Sequence, residues 1–187
     1  MSATRHKPMT VADFLAWEEQ QELRYEFDGS EPVAMTGTTA AHALIQHNLH
    51  VSMGSRLRGR PCRYIGNDLK IEVARSIRYP DGFVICSPVD LSVTVAPDPV
   101  VIFEVLSDST TRTDVITKNR EYAATASVQR YVLLSQHEIS ATMFERIDGD
   151  WVGHLLTGDA ILRMPQIGIE LPLAELYEGL DLSAPPP

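Results

Sequence analysis

Positive charge, cysteine and long apolar runs are all scarce in this 187-residue chain, and each scarcity excludes something. Sixteen Lys and Arg face 25 Asp and Glu, for a net charge of −9. Non-specific nucleic-acid binding is driven mainly by neutralising phosphates with cations, so any nucleic-acid contact has to be local rather than spread over the surface. No run approaches the roughly 18 apolar residues of a membrane span, and MSATRHKPMTVADF lacks the apolar stretch of a signal peptide. A cytoplasmic protein with no membrane association is the expectation. Cys62 and Cys86 have no metal-ligand spacing, and a lone pair without a secretion signal predicts two buried thiols. Also missing are GxGxxG, a P-loop and a GxSxG nucleophile elbow.

What is present is ordinary for a globular protein: 44% hydrophobic and 22% charged residues. The length predicts one domain over residues 1–187, with an Ala-Pro-Pro-Pro tail disordered from about 183. Thr10 and Asp13 have the spacing of a capping box, and Val11, Phe14 and Leu15 continue as a helical stripe, which predicts a helix near 10–20. RYEFDGSEPVAMTG reads as a hairpin. Leu44, Ile45, Leu49, Met53 and Leu57 recur at helical spacing until Gly59 and Pro61 stop them. Strand-like runs follow at 62–65, 69–73, 82–86 and 100–106, then a helix from Thr113 or Asp114 to about Ala126, then RYVLL at 130–134. Runs at 140–146 and 151–156 flank Asp148-Gly149, a hairpin signal. Strand, helix, strand is a crossover unit, so the class is α/β.

Glu104 is the most informative residue. A carboxylate inside VVIFEVL, a strand expected to be buried on both faces, is costly unless paired or bound to a cation. The plainer alternative is an exposed strand end, or a hydrogen bond to the turn Ser107-Asp108-Ser109-Thr110. Asp81 after Pro80 projects toward Glu104 if their strands pair. A second Pro-Asp pair ends in Asp98, six residues from Glu104 on one strand and about 20 Å away, too far to share an ion. Lys118 shares a helix face with Asp114 and Tyr122; a solvated Asp–Lys pair is the ordinary reading of that spacing. His42, His47 and His50 lie on one predicted helix, and with no second cluster to complete a zinc site they read as its polar face. Arg56, Arg58, Arg60 and Arg63 form the densest positive stretch, either a solvated helix end or a phosphate-contacting edge.

RYEFDG at 24–29, the His42 helix, YPD at 79–81 and FEVLSDSTTRTDVITKNREY at 103–122 together resemble the Uma2 family, also catalogued as domain of unknown function 820. The resemblance spans nearly the whole chain, and EVLS-x-ST-x3-D-x3-K-x3-Y is its most specific part. It implies the PD-(D/E)xK superfamily: a restriction-endonuclease-like core with a central mixed β-sheet flanked by α-helices and additional β-hairpins. By the same resemblance Asp81 and Glu104 ligate a divalent cation, Mg2+ or Mn2+. The lysine usual two residues after the acidic residue is absent, since position 106 is Leu106; Lys118 on the following helix takes its place, and Glu26 is an accessory carboxylate. Ser30 before Glu31 departs from the family's Asp-Gly-Glu hairpin. The implied function is a metal-dependent endonuclease hydrolysing phosphodiester bonds of DNA, acting as a possible homodimer by fold analogy. A non-catalytic binding or assembly module with a nuclease-like core, and a small-phosphoester hydrolase, stay open as alternatives.

Overall fold

The computed structural model describes residues 8–35, 37–107 and 112–182. The tail from 183 and the Asp108–Thr110 turn lie outside the described residues. Helix α1 (Val11–Glu18) begins at the Thr10 capping box. A short hairpin follows, β1 (Tyr25–Phe27) and β2 (Pro32–Ala34). The long helix α2 (Ala40–Leu57) is capped by Thr39, whose hydroxyl accepts from the His42 amide.

Six strands come next: β3 (Arg63–Gly66), β4 (Lys70–Val73), β5 (Ser76–Arg78), β6 (Gly82–Ile85), β7 (Val95–Ala96) and β8 (Pro99–Val105). Helix α3 (Arg112–Ala124) then leads to β9 (Arg130–Leu134), β10 (Ser140–Ile147) and β11 (Asp150–Thr157). The chain closes with β12 (Ile161–Met164) and β13 (Ile169–Pro172), with 3-10 turns at Pro165–Ile167 and Leu173–Tyr177.

The mixed six-stranded sheet has the order β11-β10-β9-β8-β6-β3, and β8–β9 is its parallel pair. That pair is joined through α3, the crossover that parallel neighbours require. The expected strand VVIFEVL is therefore central. Its alternation divides the core. Val101, Phe103 and Val105 pack with Ile45, Leu49 and Met53 of α2, while Ile102 packs with Phe83, Tyr122 and Tyr131 on the α3 side. A second sheet, β2-β1-β5-β4-β7, covers α1 through Phe14, Phe27 and Ile77. Asp148 and Gly149 both have positive φ, 51° and 95°, as a tight hairpin turn needs.

In the framework, two features depart from the sequence reading. β5, β7, β12 and β13 go unannounced because they are two to four residues long and carry too little periodicity to register. The cysteines are not thiols: Cys62 and Cys86 form a disulfide. They flank the β3–β6 ladder just beyond the Arg63–Ile85 pair, and strand pairing brings together two residues that are 24 apart in sequence. Among the described residues no helix is long and apolar enough to cross a membrane.

Candidate active site

Five elements deliver carboxylates and cations to one place. Gly82 of β6 pairs with Phe103 of β8, so the register carried one step further sets Asp81 opposite Glu104. Phe27 of β1 pairs with Ile77 of β5, which brings Glu26 alongside Arg78 and Tyr79. Helix α3 crosses above with Lys118, Glu121 and Tyr122 on its inner face.

Asp81 is held on three sides. Its Oδ2 accepts from the Val105 amide at 2.6 Å, its Oδ1 accepts from the Gln46 amide group, and His42 Nε2 lies 3.2 Å from Oδ2. Glu104, with 12% of its side chain exposed, accepts from the Tyr122 hydroxyl at 2.9 Å. The Lys118 ammonium stands 3.2 Å from Glu104 Oε1 and 3.2 Å from Glu26 Oε1. Glu26 also accepts from the Tyr79 amide at 3.1 Å and from Arg78 at 3.1 Å. Arg78 in turn makes a paired contact with Glu121, at 2.8 and 2.7 Å.

The electrostatics are those of a site short of positive charge. Burial lifts the Glu104 carboxyl to about 7; Lys118 and Tyr122 pull the other way, but the nearby charges of Asp81 and Glu26 add to the rise. For His42, burial alone favours the neutral ring, yet the hydrogen bond and charge of Asp81 together with the charge of Glu104 raise its pKa overall. Arg78 is likewise raised: desolvation is outweighed by the Glu121 hydrogen bonds and the charges of Glu26 and Glu121.

Two oxygen ligands from adjacent strands suit a hard divalent cation, which commonly takes one or two carboxylates and keeps several waters. Excess negative charge at Glu104 fits the same chemistry. Among the described residues no group of three or more His, Cys, Asp or Glu forms a cage of its own. Asp98 lies elsewhere, in a pocket with Glu72 and Arg75.

Glu26, Asp81, Glu104 and Lys118 thus converge. Lys118 is buried and reaches inward to Glu26 and Glu104, so it is not a solvated side chain; the Asp114 side chain of the expected helix-face pair lies outside the described residues. The arginines do not join them. Arg56 is paired with Glu175 at 2.7 Å, Arg60 donates to the Gly168 carbonyl at 3.0 Å, and Arg58 and Arg63 are exposed. Arg56 is fourteen residues along α2 from His42, on the order of 20 Å at 1.5 Å per residue.

His42 corrects the polar-face reading. His47 and His50 are exposed, but His42 is buried against Asp81, with Gln46 one turn further along beside it. Arg78 and Glu121 were not singled out by their sequence context either. An i, i+4 His–Gln pair on an otherwise apolar helix face is the one feature of the sequence that sets His42 and Gln46 apart.

The Uma2 family model, described as "Putative restriction endonuclease", matches residues 11–174. Two uncharacterized proteins of Synechocystis sp. are similar over most of their length. The protein slr1290 is 31% identical over 176 residues, covering 92% of this chain and 93% of the relative. The protein sll1609 is 28% identical over 159 residues, covering 82% of this chain and 90% of the relative. A crystal structure from Anabaena variabilis, described as "a putative nuclease belonging to DUF820", matches with a TM-score of 0.77 at 18% identity. It covers 91% of this chain and 98% of that one, and at that identity the likeness establishes the fold.

Proposed function

This chain belongs to the Uma2 family, and from that premise we propose that it is a divalent-metal-dependent endonuclease hydrolysing phosphodiester bonds of DNA. The observation that carries the reading is Lys118, which reaches Glu104 at 3.2 Å from the helix after the Glu104 strand, with Asp81 at the opposing register position.

Asp81 and Glu104 would hold the ion, magnesium or manganese. When bound, such an ion activates a water molecule and offsets charge on the phosphoryl oxygens. The chain's own residues supply the remainder. The Val105 amide and Gln46 fix the Asp81 carboxylate, and Tyr122 fixes that of Glu104, so neither has to be ordered when substrate arrives. Lys118 donates toward the negative charge that develops on the phosphoryl group, in a partly buried setting where such a contact is stronger than in water. Glu26 accepts from Lys118 and from Arg78 and so positions the ammonium.

The test is cleavage of single-stranded and duplex DNA with magnesium, with manganese and with excess chelator, for the natural chain and Glu104→Gln. Cleavage that depends on the metal and falls by at least about 100-fold in the variant supports the reading. Cleavage untouched by chelator, or retained by Glu104→Gln, removes the site.

A further inference from the structure

A pocket of about 230 Å³ opens between α2 and the start of β6, and Asp81 forms part of its wall. Its other polar walls are Gln46, His47 and His50 of α2, Tyr64 of β3 and Asn67. Apart from Gln46, which fixes the Asp81 carboxylate, none of these takes part in the chemistry above.

Two glycines shape the pocket: Gly66 lies in its wall, and Gly82 makes room for the Tyr64 ring that forms part of it. Gly66 and Gly82 are direct partners across the β3–β6 ladder. A Cβ on Gly82 would lie 2.0 Å from the Tyr64 hydroxyl oxygen, and one on Gly66 would lie 3.5 Å from His50 Nδ1. Any side chain at position 66 therefore grows toward the His50 wall. Tyr64 itself is braced edge-on by His50, with ring centroids 5.5 Å apart.

The lining chemistry selects the occupant. No Lys or Arg lines the pocket, and its one formal anion is Asp81, so a phosphate would meet repulsion there rather than a partner. A phenol, two amides and two imidazoles instead offer hydrogen-bonding edges and aromatic surface. The His47 and Asn67 side chains are exposed and Tyr64 is half-buried, so the pocket's polar edges face solvent. Planar aromatic rings with donors and acceptors on their edges are what such walls recognise, and nucleobases are bound in this way once unpaired.

We infer that this pocket receives one unpaired base of the nucleotide beside the phosphate that is cut, so that the substrate is DNA with a base free of its partner strand. This rests on the nuclease reading, and it names the form of DNA that the site takes. The contiguity with Asp81 places the base next to the reacting phosphate.

The experiment uses the intact protein with calcium in place of magnesium. It is titrated into short oligodeoxynucleotides carrying one fluorescent adenine analogue, either single-stranded or paired in a duplex. A saturable fluorescence change is expected for the unpaired analogue, weakened about tenfold in the duplex, in His50→Ala and in Gly66→Leu, each first shown to melt like the natural chain. A competitor lacking the base at that position should compete about tenfold less well. Equal competition by the abasic strand, or unchanged binding by Gly66→Leu, overturns the inference.

Cleavage with magnesium separates the two readings. A base-specific fluorescence change without any cleavage supports the pocket and fails the nuclease assignment. Cleavage of intact and abasic strands with the same KM supports the nuclease and overturns the pocket. If His50→Ala raises KM on the intact strand and leaves the abasic strand unaffected, the residue acts through the base; an equal rise on both overturns that role.

Discussion

The backbone amide of Val105 donates to Asp81 Oδ2 at 2.6 Å, so a side chain completes the β8 ladder where a neighbouring strand would. Asp81 is therefore structural as well as a proposed ligand, and the choice of substitution matters. Asp81→Ala leaves a buried N–H without its acceptor, at a cost of about 1–3 kcal/mol. Asp81→Asn keeps an acceptor oxygen there and loses the charge. Chemical denaturation should show Asp81→Ala clearly less stable than Asp81→Asn, while calorimetry shows magnesium affinity lost in both. Equal stability of the two variants would mean that the Val105 contact contributes nothing.

Lys118 stands between two carboxylates, Glu26 and Glu104, at 3.2 Å from each. Lys118→Met should lower the single-turnover rate about 100-fold while leaving magnesium affinity unchanged or raised, because the competing cation is gone. It also leaves two carboxylates in mutual repulsion, so the variant should melt below the natural chain, with added magnesium closing part of the gap. A variant that loses metal binding along with activity would place Lys118 in a different role.

Reduction of the Cys62–Cys86 disulfide should destabilise the fold. The bridge closes a loop between residues 24 apart, for which chain-entropy arguments give about 3 kcal/mol. Thiol titration of the denatured, unreduced protein should find no free thiol, and denaturation with and without reductant should differ by that order. Two titratable thiols in protein prepared without reductant would contradict the bridge. Disulfides persist in oxidising surroundings and are rare in the cytosol, so the bridge does not follow from the composition that led to the cytoplasmic expectation.

Glu175 links the turn at Leu173–Tyr177 to α2 through Arg56 and Ser52. The Arg56 hydrogen bonds hold its carboxyl below the ordinary glutamate value of 4.5, against a smaller opposing effect of burial. A depressed folded pKa gives stability that is complete above that ordinary value and is lost as pH falls through the lower folded one. With 32% of the Glu175 side chain exposed, the contribution is under about 1 kcal/mol. Arg56→Ala should flatten the stability profile below pH 4.5 relative to the natural chain, measured by thermal melts across that window. An unchanged profile would show that Arg56 does not hold Glu175 in its charged form.

Local sequence specified much of the framework. Capping at Thr10, the apolar spacing of α2, the VVIFEVL strand and the Asp148-Gly149 turn were legible because each is decided by residues within a few positions of one another. Glu104 drew attention for a similar reason, since a carboxylate in an apolar strand needs a partner wherever the strand lies. Resemblance to a family then marked Glu26, Asp81 and Lys118, and strand pairing together with the α3 crossover brings all four into one cluster.

His42, Gln46, Arg78 and Glu121 could not be assigned that way, because the i, i+4 spacing of His42 and Gln46 names no partner and nothing local distinguishes Arg78 and Glu121 from other polar residues on helices and short strands. Their partners lie 35 to 43 residues away in sequence for Gln46–Asp81 and Arg78–Glu121. The disulfide between Cys62 and Cys86 belongs with them: two cysteines in a sequence are two thiols until a β-ladder sets them face to face. Periodicity and capping depend on neighbours along the chain, whereas the pairing of charges, thiols and pocket walls depends on which strands become neighbours in space, and only the packed tertiary structure decides that.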